Sequence, residues 1–188
     1  MLKFVHELMG HRAEGDGKGA YDQAKTKLRA KSARAREVLE LVETHSHVVR
    51  ILVSTSVGQD SAFQAGPILG TEESAMLWDP KKDFPILVDV ADREVINRAT
   101  KKPMQKTFAT IAPLPAEIVL LHEFGHIAQF MGELPTYVQL FKAGDIAAIE
   151  ADNLKRNEWP VCDDYGLAKR SSYLHYNGSS AAAKWSIA

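Results

Sequence analysis

The chain has 188 residues, 45% of them hydrophobic and 25% charged, with a formal net charge of −1. That length carries one domain with a real core, and that balance excludes a disordered chain or a strongly basic nucleic-acid binder. Cys162 is the lone cysteine, which excludes an internal disulfide framework.

Residues 1–19 read "MLKFVHELMGHRAEGDGKG". They hold no long apolar core, so neither a Sec-type signal nor a membrane span is expected, and synthesis in the cytoplasm follows. His6 and His11 are five apart, off a common helical face, and carry no metal site. Residues 15–19 form a flexible break, and residues 21–43 read as helix. The basic run "KTKLRAKSARAR" at residues 25–36 reads as a solvated helix face. Residues 1–45 belong either to a single domain spanning 1–188 or to a separate helical arm.

Residues 47–56 ("HVVRILVSTS") turn β-branched and read as a strand ended by Gly58. Residues 75–78 ("AMLW") and 84–90 ("FPILVDV") are strands joined by a turn at Asp79 and Pro80, which predicts a hairpin or meander. Residues 91–111 are polar and irregular, and read as a surface loop. A helix opens near Pro115, with Glu117 at its positive end, and stops at Gly132. A second helix, residues 145–158, is capped by Asp145 and ends before Pro160. Beyond Asp163 no element is assigned.

The first of these two helices holds "LLHEFGHIAQF" at residues 120–130. Residues four apart sit one turn above each other, so His122 and His126 can reach one ion. Glu123 is rotated about 100° from His122 and is placed to take a proton from a metal-bound water. Leu120, Leu121, Phe124, Ile127, Ala128, Phe130 and Met131 make the helix apolar nearly all round, hence buried. Buried histidines and a buried glutamate need partners, and a metal with its water satisfies all three.

A catalytic zinc needs a third protein ligand and an open position. Glu150, Asp152 and Glu158 are the candidates on the second helix. Glu150 shares the inward face with Ile146, Asn153 and Leu154; Asp152 points outward with Lys155 and Arg156, and Glu158 lies at the helix end. Glu150 is the preferred ligand, with Asn153 a residue that could hold a ligand in place. Oxyanion stabilisation needs a positive or hydrogen-bonding group. Arg170 and Tyr173 lead, with His175, Tyr176 and Tyr137 as substitutes. Residues 75–78 or 84–90 are candidates for a sheet edge that pairs with an extended substrate.

His122, Glu123 and His126, Glu150 in "IEADNLKRNEWP", and then "GLAKRSSY" together resemble the bacterial effector zinc metallopeptidases of the NleD type. These are gluzincins similar in layout to clostridial neurotoxin light chains. The resemblance covers residues 113–178. It implies His122, His126 and Glu150 as ligands of one zinc ion, Glu123 as general base, and Arg170 with Tyr173 as stabilisers of the transition state. It also implies a secreted or injected toxin, delivered by a type III or type VI machine, with a protein or peptide substrate and with secretion machinery or a cognate inhibitor as further partners. Asp152-Asn153 departs from the Glu-Asn that often opens the family's motif, which leaves the register of the third ligand open. "HEFGH" followed by "EAD" is also similar to peptidases of the ImmA/IrrE type, but the helix-turn-helix that accompanies those is not seen in the sequence.

The fold expected is α+β and zincin-like: a small, mainly antiparallel sheet packed on the HExxH helix, with a second ligand-bearing helix completing the cleft. The function expected is a zinc endopeptidase without nucleic-acid partner or membrane span. The alternatives are a binding module with a structural metal and a zinc hydrolase of a non-protein amide.

Overall fold

The computed structural model describes residues 1–58 and 61–170. Its strands, in chain order, are β1 (Leu2–Phe4), β2 (Glu7–Leu8), β3 (His11–Arg12), β4 (Val49–Val53), β5 (Ala62–Gln64), β6 (Ser74–Trp78), β7 (Phe84–Ile96) and β8 (Pro103–Leu114). Four of them form the main sheet in the order β1-β4-β6-β5. β1, β4 and β6 run parallel, and only β5, at the edge, is antiparallel. The sheet is therefore mixed, not mainly antiparallel. Its composition explains this: β6 is buried at all five positions and β4 at all but Arg50, the continuous burial of parallel strands covered on both faces.

The predicted hairpin between residues 75–78 and 84–90 does not form. β6 pairs with β4 and β5, while β7 pairs with β8 in a long two-stranded ribbon. That ribbon occupies the stretch read as an irregular loop. Its far half has no covered face, so no alternation of apolar and polar residues marks it.

Two helices cross between β1 and β4: α1 (Gly17–Lys31) and α2 (Ala33–Thr44). The single helix expected there is broken at Ser32, whose extended backbone (φ −126°, ψ 131°) lets its hydroxyl accept from Ala35 N at 3.3 Å. Ala35, Val38, Leu39 and Val42 make one buried stripe of α2. Leu2, Phe4, Tyr21 and Leu28 join the same core cluster, so the first 45 residues pack with the rest. The basic run is largely neutralised at home. Lys25 and Arg29 pair with Glu43 at 2.8 and 3.1 Å, Arg34 pairs with Glu37 and Glu133, and Lys31 lies over the Tyr165 ring.

The central helix α3 (Ala116–Ala128) is buried at every position but Glu117. Pro115 precedes it and offers no side-chain cap. Asp83 Oδ1 instead accepts from Ala116 N at 3.1 Å, and Trp78 Nε1 donates to Ala116 O at 2.8 Å. The end of β6 and the turn after it thus set where α3 begins. A π turn, Gln129–Glu133, closes this helix around Gly132 (φ 129°), and α4 (Tyr137–Ala143) follows. α5 (Ile146–Asn153) is capped by Asp145, as expected. It does not end before Pro160: a second π turn, Leu154–Glu158, leads straight into α6 (Trp159–Tyr165). Pro160 lies in the first turn of α6, where a missing N–H is harmless.

The architecture is mixed α+β with small sheets. No helix among the described residues is long and apolar enough to cross a membrane.

Candidate metal centre

α3 and α5 bring three side chains together. His122 Nε2 and His126 Nε2 are 3.1 Å apart. Glu150 reaches between them, with Oε2 3.3 Å from His122 Nε2 and Oε1 3.0 Å from His126 Nε2. All three residues are buried, at 5–8% exposure. They form the group among the described residues that could hold a metal ion.

The outer nitrogens decide what the inner ones can do. Gln129 uses both amide N–H groups, on Ile149 O (2.9 Å) and Asp152 Oδ2 (2.7 Å), so its Oε1 faces His126 Nδ1 at 2.9 Å as an acceptor. His126 Nδ1 therefore carries a hydrogen, and Nε2 presents a lone pair. His122 Nδ1 lies 2.9 Å from Glu158 Oε2 and 2.8 Å from Arg170 Nη2. One nitrogen cannot serve both. Glu158 can only accept, and Arg170 already donates to both of its oxygens, so Nδ1 donates to the carboxylate. With both rings neutral, two lone pairs and a carboxylate then converge without a proton between them.

That convergence is a repulsive arrangement unless a cation fills it. A tetrahedral zinc at about 2.1 Å from each ligand wants ligand atoms roughly 3.4 Å apart. The observed 3.0 to 3.3 Å fall short by a few tenths. Glu150 Oε2 is also buried without a hydrogen bond among the described residues. The donor set fits a borderline metal such as zinc.

The same cluster can be held by a proton. Burial and the Arg170 charge pull the His122 pKa down, but the carboxylates of Glu150 and Glu158 close to its ring outweigh them and push it up to about 9. Burial raises the Glu150 carboxyl, yet the two histidines hold it well below the ordinary carboxylate range. A bound cation competes with that shared proton.

Glu158 does not lie at a helix end, because the chain continues from it into α6. It is fully buried, bonded to His122 and to Arg170, which is 2% exposed. Burial pushes its carboxyl up, but His122 and Arg170 hold it at about 2. Asn153 does what its position suggests: Nδ2 donates to His122 O at 2.9 Å. Asn157 Nδ2 donates to Asn153 Oδ1 at 2.7 Å, and Arg34 Nε from α2 donates to Asn157 Oδ1 at 3.0 Å. This packing leaves no room on α3: a Cβ at Gly125 would collide with Asn153 Oδ1 and Asn157 Nδ2. Asp152, the rejected ligand, is bonded to Gln129 and Arg156 instead.

No protein-family model, curated protein or solved structure matches the chain.

What the site can do must therefore be read from its own residues. Glu123 is buried and makes no hydrogen bond among the described residues, and burial raises its pKa above the ordinary carboxylate value. It lines a cleft of about 230 Å³ with His122, His126, Glu150 and Tyr137. Burial and the charges of Glu150 and Glu123 raise the Tyr137 pKa, so its hydroxyl stays protonated. The cleft's other wall is the edge strand β5, through Ala62 and Phe63, with Ser61 just before it. The edge of the main sheet beside the site is thus not residues 75–78 but a three-residue strand too short to stand out in the sequence. Residues 84–90 open the separate β7–β8 ribbon, whose Phe84 reaches the neighbouring pocket. Arg170 lines a narrower pocket with His122, Glu123, Phe84 and Leu114. Tyr173, His175 and Tyr176 lie outside the described residues.

Glu158, Gln129, Asn157 and Gly125 were not singled out for these roles by sequence reasoning. The buried faces of the two π turns place the first three, and Gly inside an apolar helix was the available signal for the fourth.

Proposed function

We propose that this chain is a zinc-dependent endopeptidase, with His122, His126 and Glu150 as ligands. The observation that carries the reading is the convergence of the Glu150 carboxylate with two histidine nitrogens whose rings are already engaged on their outer side, beside the buried Glu123 carboxylate, which makes no hydrogen bond among the described residues. Zinc held there would supply Lewis acidity toward a carbonyl and make water a nucleophile near neutral pH.

The chain's own residues do the rest. Glu123 takes the proton from the attacking water, and its raised pKa suits it to return that proton to the leaving amine. Arg170 brings positive charge beside His122 and Glu123, and Tyr137 offers a protonated hydroxyl in the cleft, for the developing oxyanion. Tyr173 keeps that role by resemblance alone. The free edge of β5 suits an extended peptide added as a further strand. We extend the proposal to an effector or toxin of the NleD type, injected into a target cell by a type III or type VI machine. Glu150 joining the histidines, and Arg170 reaching the same site, support that extension.

One observation favours a second reading. With His122 protonated, an imidazolium between Glu150 and Glu158 satisfies both carboxylates without an ion, and the cluster becomes a structural brace in a binding module. Incubation with denatured casein separates the two. The peptidase reading predicts zinc-dependent cleavage that Glu123→Gln abolishes while zinc stays bound. Zinc binding without cleavage of casein or of a proteome-derived peptide mixture refutes the peptidase assignment. Release of fragments from peptidoglycan in place of peptides makes the chain a hydrolase of cell-wall amides.

A further inference from the structure

The far half of the β7–β8 ribbon is built unlike the rest of the molecule. Residues 93–106 hold five cations, Arg93, Arg98, Lys101, Lys102 and Lys106, against the single carboxylate Glu94. None of the five forms an ion pair among the described residues. This contrasts with residues 25–36, whose cations largely find carboxylates within the fold.

Pairing register sorts the ribbon into two faces. Arg93 lies directly opposite Lys106 and Val95 opposite Met104, while Phe108 is next along on the same side. Arg93 and Lys106 both sit over the Phe108 ring, at 5.5 and 5.3 Å from its centre. The opposite face carries Glu94 with Gln105 and Ile96 with Pro103. One face is therefore cationic and apolar, the other neutral to acidic. Two cations directly opposed cost a ribbon stability, and a two-stranded ribbon has little to spare. Met104 (44% exposed) and Ile96 (59%) add uncovered apolar surface.

We propose that the Arg93–Lys106 face is a docking surface for an acidic segment of the protein substrate, remote from the bond that is cut. This rests on the peptidase reading. The base of the ribbon supports the link, because Phe84 and Leu114 line the narrow pocket with His122 and Glu123. Lys106 stands eight residues from Leu114 along β8, which is roughly 25 Å at strand rise. An extended substrate spans that in about seven or eight residues. A polypeptide fits better than a polyanion of the nucleic-acid kind. The cations are interleaved with Val95 and Met104, and Glu94 on the reverse face repels phosphates that would flank an inserted ribbon.

The test uses full-length Glu123→Gln protein, which cannot cut its probe, and fluorescence anisotropy. Probes are a fluorescein-labelled peptide alternating glutamate with leucine and serine, its glutamine counterpart, a short DNA duplex, and phosphatidylserine vesicles. The acidic peptide is expected to bind, to weaken with salt, and to bind on the order of tenfold more weakly when Arg93→Glu and Lys106→Glu are added. An unchanged melting temperature shows that the added changes leave the fold intact, and Arg93→Gln with Lys106→Gln gives a milder version should they not. Equal binding by the substituted protein, no preference for the acidic peptide, or tighter binding of DNA or vesicles overturns the proposal. Active protein digesting a proteome-derived peptide mixture should favour acidic residues about seven or eight positions from the cut, a preference lost with Arg93→Glu and Lys106→Glu. Cleavage with no such preference overturns the link to substrate. Absence of any cleavage refutes the peptidase reading and, with it, the substrate assignment, while the anisotropy still judges the acidic docking face.

Discussion

Glu158 is the residue on which the stability and the metal affinity of this site should come apart. It is fully buried, and its two oxygens accept from Arg170, itself 2% exposed, and from His122 Nδ1. Glu158→Gln removes the charge and leaves the guanidinium buried without its counter-ion, a loss of about 3–5 kcal/mol. With a urea dependence of about 2 kcal/mol per molar for a domain of this size, the midpoint falls by roughly 2 M. The same change takes the carboxylate from His122 Nδ1 and should weaken zinc about 10- to 100-fold. The double substitution Glu158→Leu with Arg170→Met removes both charges together. It should recover most of the lost stability, since a well-packed apolar pair is often as good as a buried ion pair. It should not recover the zinc affinity, because His122 still lacks its partner. Urea melts of the metal-free protein and competition with a chromophoric chelator read the two quantities separately. A Glu158→Gln midpoint within about 0.3 M of wild type, or a double variant that regains zinc affinity with stability, refutes this reasoning.

Gly125→Ala drives a methyl into Asn153 and Asn157 and should cost about 1–3 kcal/mol by overpacking, seen as a lower denaturation midpoint; Gly125→Ala at wild-type stability contradicts the close approach of α3 and α5. Cys162 is buried, and burial first, then the Glu158 charge, raises its thiol from 9 to about 12. The folded state thus holds the proton more tightly than the unfolded one. The stability Cys162 contributes is complete below about pH 9 and is lost as pH rises toward 12. At pH 8 an aromatic disulfide reagent should label it only as fast as the chain unfolds, and rapid labelling of folded protein would contradict its burial.

The candidate metal triad was legible because it depends on simple helical spacing. His122 and His126 are one turn apart, and Glu150 lies on the buried face of a short capped helix. Of the residues that hold the triad, Asn153 was legible too, but Gln129, Asn157 and Glu158 were not, because two π turns change the register. On an unbroken α-helix Glu158 lies roughly 80° from Glu150, at 100° per residue, and so looks marginal. The wider turn at Leu154–Glu158 accommodates the difference and buries it. The sheet was misread for a related reason. "VRILV" and "SAMLW" are runs buried on both faces, the mark of parallel strands, but their neighbour in sequence suggested a hairpin. The true hairpin hid in residues 91–111, where charge on both strands and the lack of a buried face among the described residues erased the period of two.

The account turns on whether His122, His126 and Glu150 hold an ion, and metal analysis of purified protein answers that most directly. Wild-type protein expressed with zinc should carry about one zinc per chain, while His122→Ala and Glu150→Ala should each lose it. Wild-type protein that binds no zinc, yet keeps His122 protonated near neutral pH by imidazole NMR, would contradict the account and leave the cluster a proton-held brace.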